Sequence, residues 1–308
     1  MRKLRFALFG NIYQPKKSTL VKKLLCCLEE RGAEVYIDQS FNEYLTQQVQ
    51  IDVHSTGTFC GNDFAADFAV SMGGDGTFLQ TASRVADKGI PIIGINMGRM
   101  GFLADVSGDE ISSTIANIYD GNYCEELRSV LQVEYKNSGE WRGESEEDRV
   151  ESGESYPYAL NEVAVLKRDN SSMISIRVDV NGEYLTTYQA DGLIINTPTG
   201  STGYALSVGG PIMSPEARTL GITPVAPHSL NMRPVTICDD AEVTLSVESR
   251  SHNYLVALDG RSETCNEATK LVVRRAPYCI HVLKRRNSSF FRTLREKLMW
   301  GNDVRIEN

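Results

Sequence analysis

Gly73-Gly74-Asp75-Gly76-Thr77 stands between an apolar run, Asp67–Met72, and a segment with helical spacing. Three glycines in four positions permit positive φ and let a bulky anion come close to the backbone. A helix opening near Thr77 would aim its free N–H groups and the positive end of its dipole at that spot. Phosphate binding is the chemistry this implies. The run is not a Walker loop, since no Lys-Ser/Thr follows, and it lacks G-x-G-x-x-G. The same residues also read as a tight turn capping a helix, with Asp75 a turn residue. A second run extends from Asp191-Gly192 through Thr197-Pro-Thr-Gly200-Ser-Thr202-Gly203-Tyr204 to Ser207. It passes from a buried strand into a loop dense in hydroxyls and glycines, which offers amides and oxygens to a polar ligand. A Ser/Thr-rich turn is the plainer reading. Asn161-Glu162 heads an apolar strand and alone reads as an exposed strand end.

The elements that must position these groups follow from hydrophobic periodicity. Leu4–Phe9, Ala33–Ile37, Asp67–Met72 and Ile90–Asn96 read as buried strands. Ser18–Arg31, Phe78–Ala86 and Ile111–Ile118 have helical spacing. The alternation predicts a Rossmann-like α/β domain with a parallel sheet over residues 1–125. From 126 to 285 the pattern changes to many short strands. These are Val130–Tyr135, Tyr158–Leu166, Ile174–Val180, Leu185–Ala190, Leu193–Asn196, Val243–Val247, Tyr254–Leu258, Leu271–Arg275 and Ile280–Leu283. Ile174, Ile176, Val178 and Val180 alternate with polar residues, and Asn181-Gly182 follows as a hairpin signal. An all-β, sandwich-like domain is expected. Residues 286–308 form a tail whose helix has a serine cap, apolar Phe291, Leu294 and Leu298, and a closing Gly301. Asn137–Glu154 is acidic and Gly/Ser-rich, the composition of a solvated loop.

Composition narrows the function classes. The 308 residues carry a formal net charge of −8, against the basic footprint of a general nucleic-acid binder. No apolar run reaches the ~18 residues of a membrane span. Seven cysteines, an odd number with no C-x-x-C pair, and four scattered histidines argue against zinc and against a disulfide framework. A reduced, cytoplasmic protein is expected.

Taken together the motifs resemble the NAD kinase family. Gly73–Thr77 resembles its first motif, and Gly94-Ile-Asn-Met-Gly-Arg99-Met-Gly-Phe102-Leu-Ala-Asp105 its next block. Asn161-Glu162, Asp191-Gly192 and Thr197–Tyr204 follow in family order, and the tail Phe291–Gly301 is also similar. The resemblance runs from about residue 66 to 301. Diacylglycerol and sphingosine kinases and phosphofructokinases share versions of Gly-Gly-Asp-Gly-Thr. The hydroxyl-rich loop together with Asn161-Glu162 is far more specific.

The resemblance implies an enzyme, a phosphotransferase that moves phosphate from ATP to the 2′-hydroxyl of the adenosine ribose of NAD, giving NADP. It implies Asp75 as catalytic base, with Gly73, Gly74, Gly76 and Thr77 under the ATP phosphates. Asn161 and Glu162 would hold the adenosine sugar, Phe102 would pack on the adenine and Thr202 would read its polar edge. Asp191, Gly203, Tyr204, Ala205, Leu206 and Ser207 would line the dinucleotide site, and Ser172 and Arg261 would add contacts. The family usually has Ala where this chain has Gly203, and a polar residue where it has Met97. Mg²⁺ is expected on the substrate phosphates rather than in a protein cage. A homodimer or homotetramer is implied, as are a substrate site shared by the two domains and a last helix that packs back on the first domain. Two rivals stand beside this reading. A related lipid kinase would need an acyl channel and membrane affinity, and a nucleotide sensor would bind without turnover.

Overall fold

The computed structural model describes residues 3–10, 18–98, 101–137, 156–169, 172–286 and 288–301. Nearly all of the acidic segment expected as a loop, together with Arg99 and Met100, lies outside them. The chain divides into two compact units, one made of Met1–Leu127 and Ile280–Asn308, the other of Arg128–Cys279.

The first unit is built on parallel strands. β1 (Arg5–Gly10) is flanked by β2 (Glu34–Asp38) and β4 (Phe68–Gly73), with β3 (Gly57–Phe59) outside β2 and β5 (Ile92–Asn96) outside β4. Every residue of β4 and β5 is buried. Such uninterrupted burial marks parallel strands covered on both faces. Helix α1 (Ser18–Glu29) turns Val21, Leu24, Cys27 and Leu28 inward. Helices α2 (Gln39–Glu43), α3 (Asp75–Val85) and α4 (Ile111–Tyr119) complete the cover. The N-terminal amides of α2 are capped by the Asp38 carboxylate, which accepts from Phe41 N–H.

The second unit is antiparallel. One sheet runs β13 (Val235–Cys238), β12 (Thr219–Val225), β11 (Gly192–Asn196), β8 (Glu162–Lys167), β15 (Asn253–Leu258), β16 (Arg261–Asn266). The other includes β10 (Glu183–Ala190), β9 (Ile174–Val180), β14 (Val243–Glu248) and the leading part of β17 (Thr269–Lys284). Apolar residues of both, among them Ile176, Leu245 and Val273 on one side and Val165, Ile195 and Tyr254 on the other, share one core. Each such side chain removed from water contributes roughly 1.5–3 kcal/mol. In β9 the alternation is as expected: Ile174, Ile176 and Val178 are buried, Arg177 is exposed, and Val180 is half-buried at the strand end. Asn181 (φ 51) and Gly182 (φ 80) then close the hairpin to β10.

Several expectations are corrected. Leu271–Arg275 and Ile280–Leu283 are one strand, and Tyr158–Leu166 is two, β7 (Tyr158–Ala159) and β8. The strand from Val130 belongs to a longer one, β6 (Cys124–Asn137). The tail helix α6 (Phe290–Leu298) buries Leu294 but leaves Phe291 63% exposed. Its N-cap Ser289 makes no side-chain cap bond, and its C-cap is Met299 in the left-handed region.

Candidate active site

In the first unit, β4 delivers Gly73 at its end, Gly74 is the N-cap residue, and α3 begins at Asp75. The helix thus starts two residues earlier than Thr77. The glycines do not serve through positive φ, since Gly74 lies at φ −101 and none of the three is left-handed. Gly73 is needed because a Cβ there would overlap the Thr77 side chain, which folds over the strand end. Gly74 and Gly76 meet nothing within 4 Å of their would-be Cβ positions. Bare backbone, open space and a helix N-terminus make an anion seat.

The Asp75 carboxylate braces the chain after β5. Oδ2 accepts the N–H of Phe102 at 2.7 Å, and Oδ1 accepts those of Leu103 and Ala104 at 3.0 and 3.1 Å. Oδ1 is saturated, while Oδ2 keeps one lone pair open. Gly101 must be glycine, since a Cβ there would fall on Oδ1. Lys297 of α6 places its Nζ 4.8 Å from the centroid of the Phe102 ring. The ring expected to take an adenine therefore already has a cation near it.

In the second unit, Asn161 and Glu162 lead into β8, and a third residue sets them. Asp259, at φ 50 in the β15–β16 turn, accepts the N–H groups of Leu160, Asn161 and Glu162 at 2.7, 2.8 and 3.2 Å. The hydroxyl-rich loop is tied to the same point. Thr197 Oγ1 donates to Leu160 O at 2.6 Å, and Thr197 N–H donates to Asn161 O at 2.9 Å. A Cβ on Gly200 would strike the Asn161 carbonyl, and one on Gly203 would lie 2.8 Å from Glu162 Oε2. Glu162 also accepts the Tyr204 N–H. Burial, then the nearby Asp259 charge, raise the Glu162 carboxyl to about 7, against the pull of that N–H. Asn161 Oδ1 and Glu162 Oε2 are buried acceptors without a hydrogen-bond donor among the described residues. Native structures seldom leave such atoms unmet without a reason.

The structure thus brings Asn161, Glu162, Gly203 and Tyr204 together. Thr202 adjoins them in sequence, its hydroxyl donating to Thr199 O at 3.2 Å. In the helical turn α5 (Tyr204–Ser207), Tyr204 and Ser207 are exposed and Leu206 is half-buried. Ala205 is 0% exposed, and its methyl packs with Ala164 and Ile194. Its side chain is core, so any lining role at this position falls to its backbone. Asp191 pairs with Lys167 at 2.7 Å. Arg261 is occupied: its donors reach the carbonyls of Leu258, Tyr156 and Tyr158 at 3.2, 3.1 and 2.6 Å. Its guanidinium thus clasps residues 156–158. Ser172, two residues before β9, makes no side-chain hydrogen bond to this group among the described residues. A cavity of about 570 Å³ lined by Leu4, Phe68, Pro91, Tyr119 and Tyr123 lies at the opposite end of β4 from Gly73.

Three residues escaped sequence reasoning. Asp259-Gly260 carried a turn signal, but its reach to 160–162 is tertiary. Gly101 and Lys297 had no local signal, the one a lone glycine, the other a charge on an amphipathic helix.

Comparison with known proteins gives a consistent answer. A family model described as the ATP-NAD kinase N-terminal domain matches residues 6–123, and one described as the ATP-NAD kinase C-terminal domain matches 160–284. The NAD kinase of Bacteroides fragilis is 55% identical over 303 residues, covering 98% of this chain and 100% of that protein. The NAD kinase of Porphyromonas gingivalis is 42% identical over 301 residues, 98% of this chain and 99% of that one. Among solved structures, a yeast NADH kinase complexed with NADH shares the fold at TM-score 0.86 and 20% identity, covering 100% of this chain and 91% of that one. An NAD kinase from Archaeoglobus fulgidus in complex with ATP does so at TM-score 0.71 and 24% identity, covering 96% and 99%. With matching models over both parts and such relatives over nearly its full length, the chain belongs to the ATP-NAD kinase family.

Proposed function

We propose that this chain is an NAD kinase, moving the terminal phosphoryl of ATP to the adenosine-ribose 2′-hydroxyl of NAD and releasing ADP and NADP. The observation that carries the acceptor side is the pair of buried, donor-less oxygens, Asn161 Oδ1 and Glu162 Oε2. A ribose brings the hydroxyl donors that such oxygens need. The donor side rests on the glycine-bordered N-terminus of α3.

Phosphoryl transfer asks for positioning and charge neutralisation more than covalent work. The O2′–P bond forms as the bridging P–O bond to ADP breaks. The 2′ proton passes to the open lone pair of Asp75 Oδ2, while the amides of 102–104 hold the carboxylate still. Mg²⁺ would be carried on the phosphates of ATP, where it neutralises charge. The open backbone at Gly74 and Gly76 suits so bulky an anion. Tyr204, Thr202 and Ser207 are the remaining contacts we assign to the dinucleotide. The enzyme is cytoplasmic in this reading, in keeping with its seven free thiols. It forms a homodimer or homotetramer, which light scattering would check.

The test is purified protein with ATP, Mg²⁺ and NAD, read through a dehydrogenase specific for NADP. NADP should appear only when all three are present. Tight NAD binding with no product would instead favour a sensor.

A further inference from the structure

Lys297 Nζ is buried and has no hydrogen-bond partner among the described residues. It stands 4.8 Å from the Phe102 ring centroid, on the chain stretch that Asp75 braces. A ring face attracts an ammonium but accepts none of its three donors conventionally. The acids nearby do not hydrogen-bond it. Asp105 Oδ2 accepts Lys284 Nζ at 2.8 Å and Ser288 Oγ at 3.3 Å. Asp75 holds its three backbone N–H groups. Burial pushes the Lys297 ammonium down to about 8, against the pull of Asp75 and Asp105. A buried ammonium without acceptors is unfavourable, and a bound phosphate would supply them.

We propose that Lys297 is a catalytic residue that contacts the donor nucleotide, its ammonium taking a terminal phosphate oxygen of ATP beside Asp75. This rests on the kinase reading above and adds the tail helix to the donor site. A compact point charge with three rotatable donors suits a phosphoryl group whose oxygens shift during transfer. The charge also serves the oxygens on which negative charge concentrates as the bond to ADP breaks.

The charged groups acting on Lys297 are Asp75 on α3, Asp105 after β5, Lys284 on β17 and Glu296 on α6 itself. With that surrounding, the free enzyme holds the ammonium below about pH 8 and loses it above. kcat/KM for ATP should therefore fall as pH rises past 8.

The experiment compares Lys297→Met and Lys297→Arg with the unsubstituted enzyme, using titration calorimetry with the non-hydrolysable ATP analogue AMP-PNP, steady-state kinetics and thermal melting. Met keeps the stem over Phe102 and removes only the charge. Expected are AMP-PNP affinity and kcat/KM for ATP lower by about 10–100-fold in Lys297→Met, with KM for NAD within about twofold. Lys297→Arg should recover part of the loss and carry its alkaline limb to higher pH, since Arg stays charged. Unchanged AMP-PNP affinity and kcat in Lys297→Met would overturn the proposal and leave a clamp between α6 and Phe102. So would a drop in melting temperature alone. If the unsubstituted protein makes no NADP, the kinase reading fails, yet weaker AMP-PNP binding in Lys297→Met would still uphold the phosphate contact.

Discussion

Asp75 Oδ2 accepts the backbone N–H of Phe102 at 2.7 Å across 27 residues, so the proposed base is itself a fastener. Gly101 makes the approach possible, because any Cβ there would occupy the place of Oδ1. Gly101→Ala is expected to leave Asp75 present but displaced. Misplacement by about 1 Å can cost on the order of 10²-fold in rate. We expect kcat to fall by about 10–100-fold with circular dichroism unchanged. Activity within twofold of normal would show that seating by the 102–104 amides is dispensable.

Asp75→Asn separates proton transfer from seating in the opposite way. One oxygen becomes an NH₂ that meets backbone N–H donors, so a melting-point loss equivalent to roughly 1–3 kcal/mol is expected. The loss of a positioned base should lower kcat by about 10²–10⁴-fold while ADP still binds. Near-normal turnover in the folded variant would remove Asp75 from the role of base.

Much of this was legible in the sequence because it was local. Uninterrupted apolar runs marked the parallel strands, and alternation with Asn181-Gly182 marked the β9–β10 hairpin. What escaped was decided by tertiary context. β12 contains Gly221 and Pro224, both breakers, yet it pairs with β11 along five residues. Pro277 hid the continuity of β17. Of the two uses expected of Gly73, Gly74 and Gly76, positive φ is absent, while Gly74 and Gly76 do leave open space and Gly73 adds close packing by Thr77. Asp259, Gly101 and Lys297 act on residues far away in sequence, and no spacing rule shows such a reach.

Asp259→Asn tests one of these. The three amides of 160–162 would lose an ionised acceptor and face a weaker, half-donor amide. Asn161 and Glu162 would lose their setting, while the first unit keeps its own. KM for NAD should rise by about 10-fold or more, with ADP affinity unchanged. An equal loss of ADP and NAD affinity would point to general unfolding rather than to a brace on the acceptor side.

Glu162 carries a stability signature that separates its binding role from its folding cost. Burial, then the Asp259 charge, raise it from 4.5 to about 7 in the folded protein. Asp259 is itself raised by burial. Between about 4.5 and 7 the folded state binds more protons than the unfolded one, and stability falls as pH rises. The penalty is absent below that window and complete above it. Glu162→Gln keeps the shape and removes the charge. It should melt higher than the unsubstituted protein at pH 8, by an equivalent of about 1–3 kcal/mol, and not at pH 4.5. The same variant should bind NAD more weakly, because an amide replaces the carboxylate we assign to the ribose. Melting curves at pH 4.5, 6 and 8 decide the matter. A difference that does not change with pH would mean that Glu162 is not buried in its charged form, and the stability argument would fall with it.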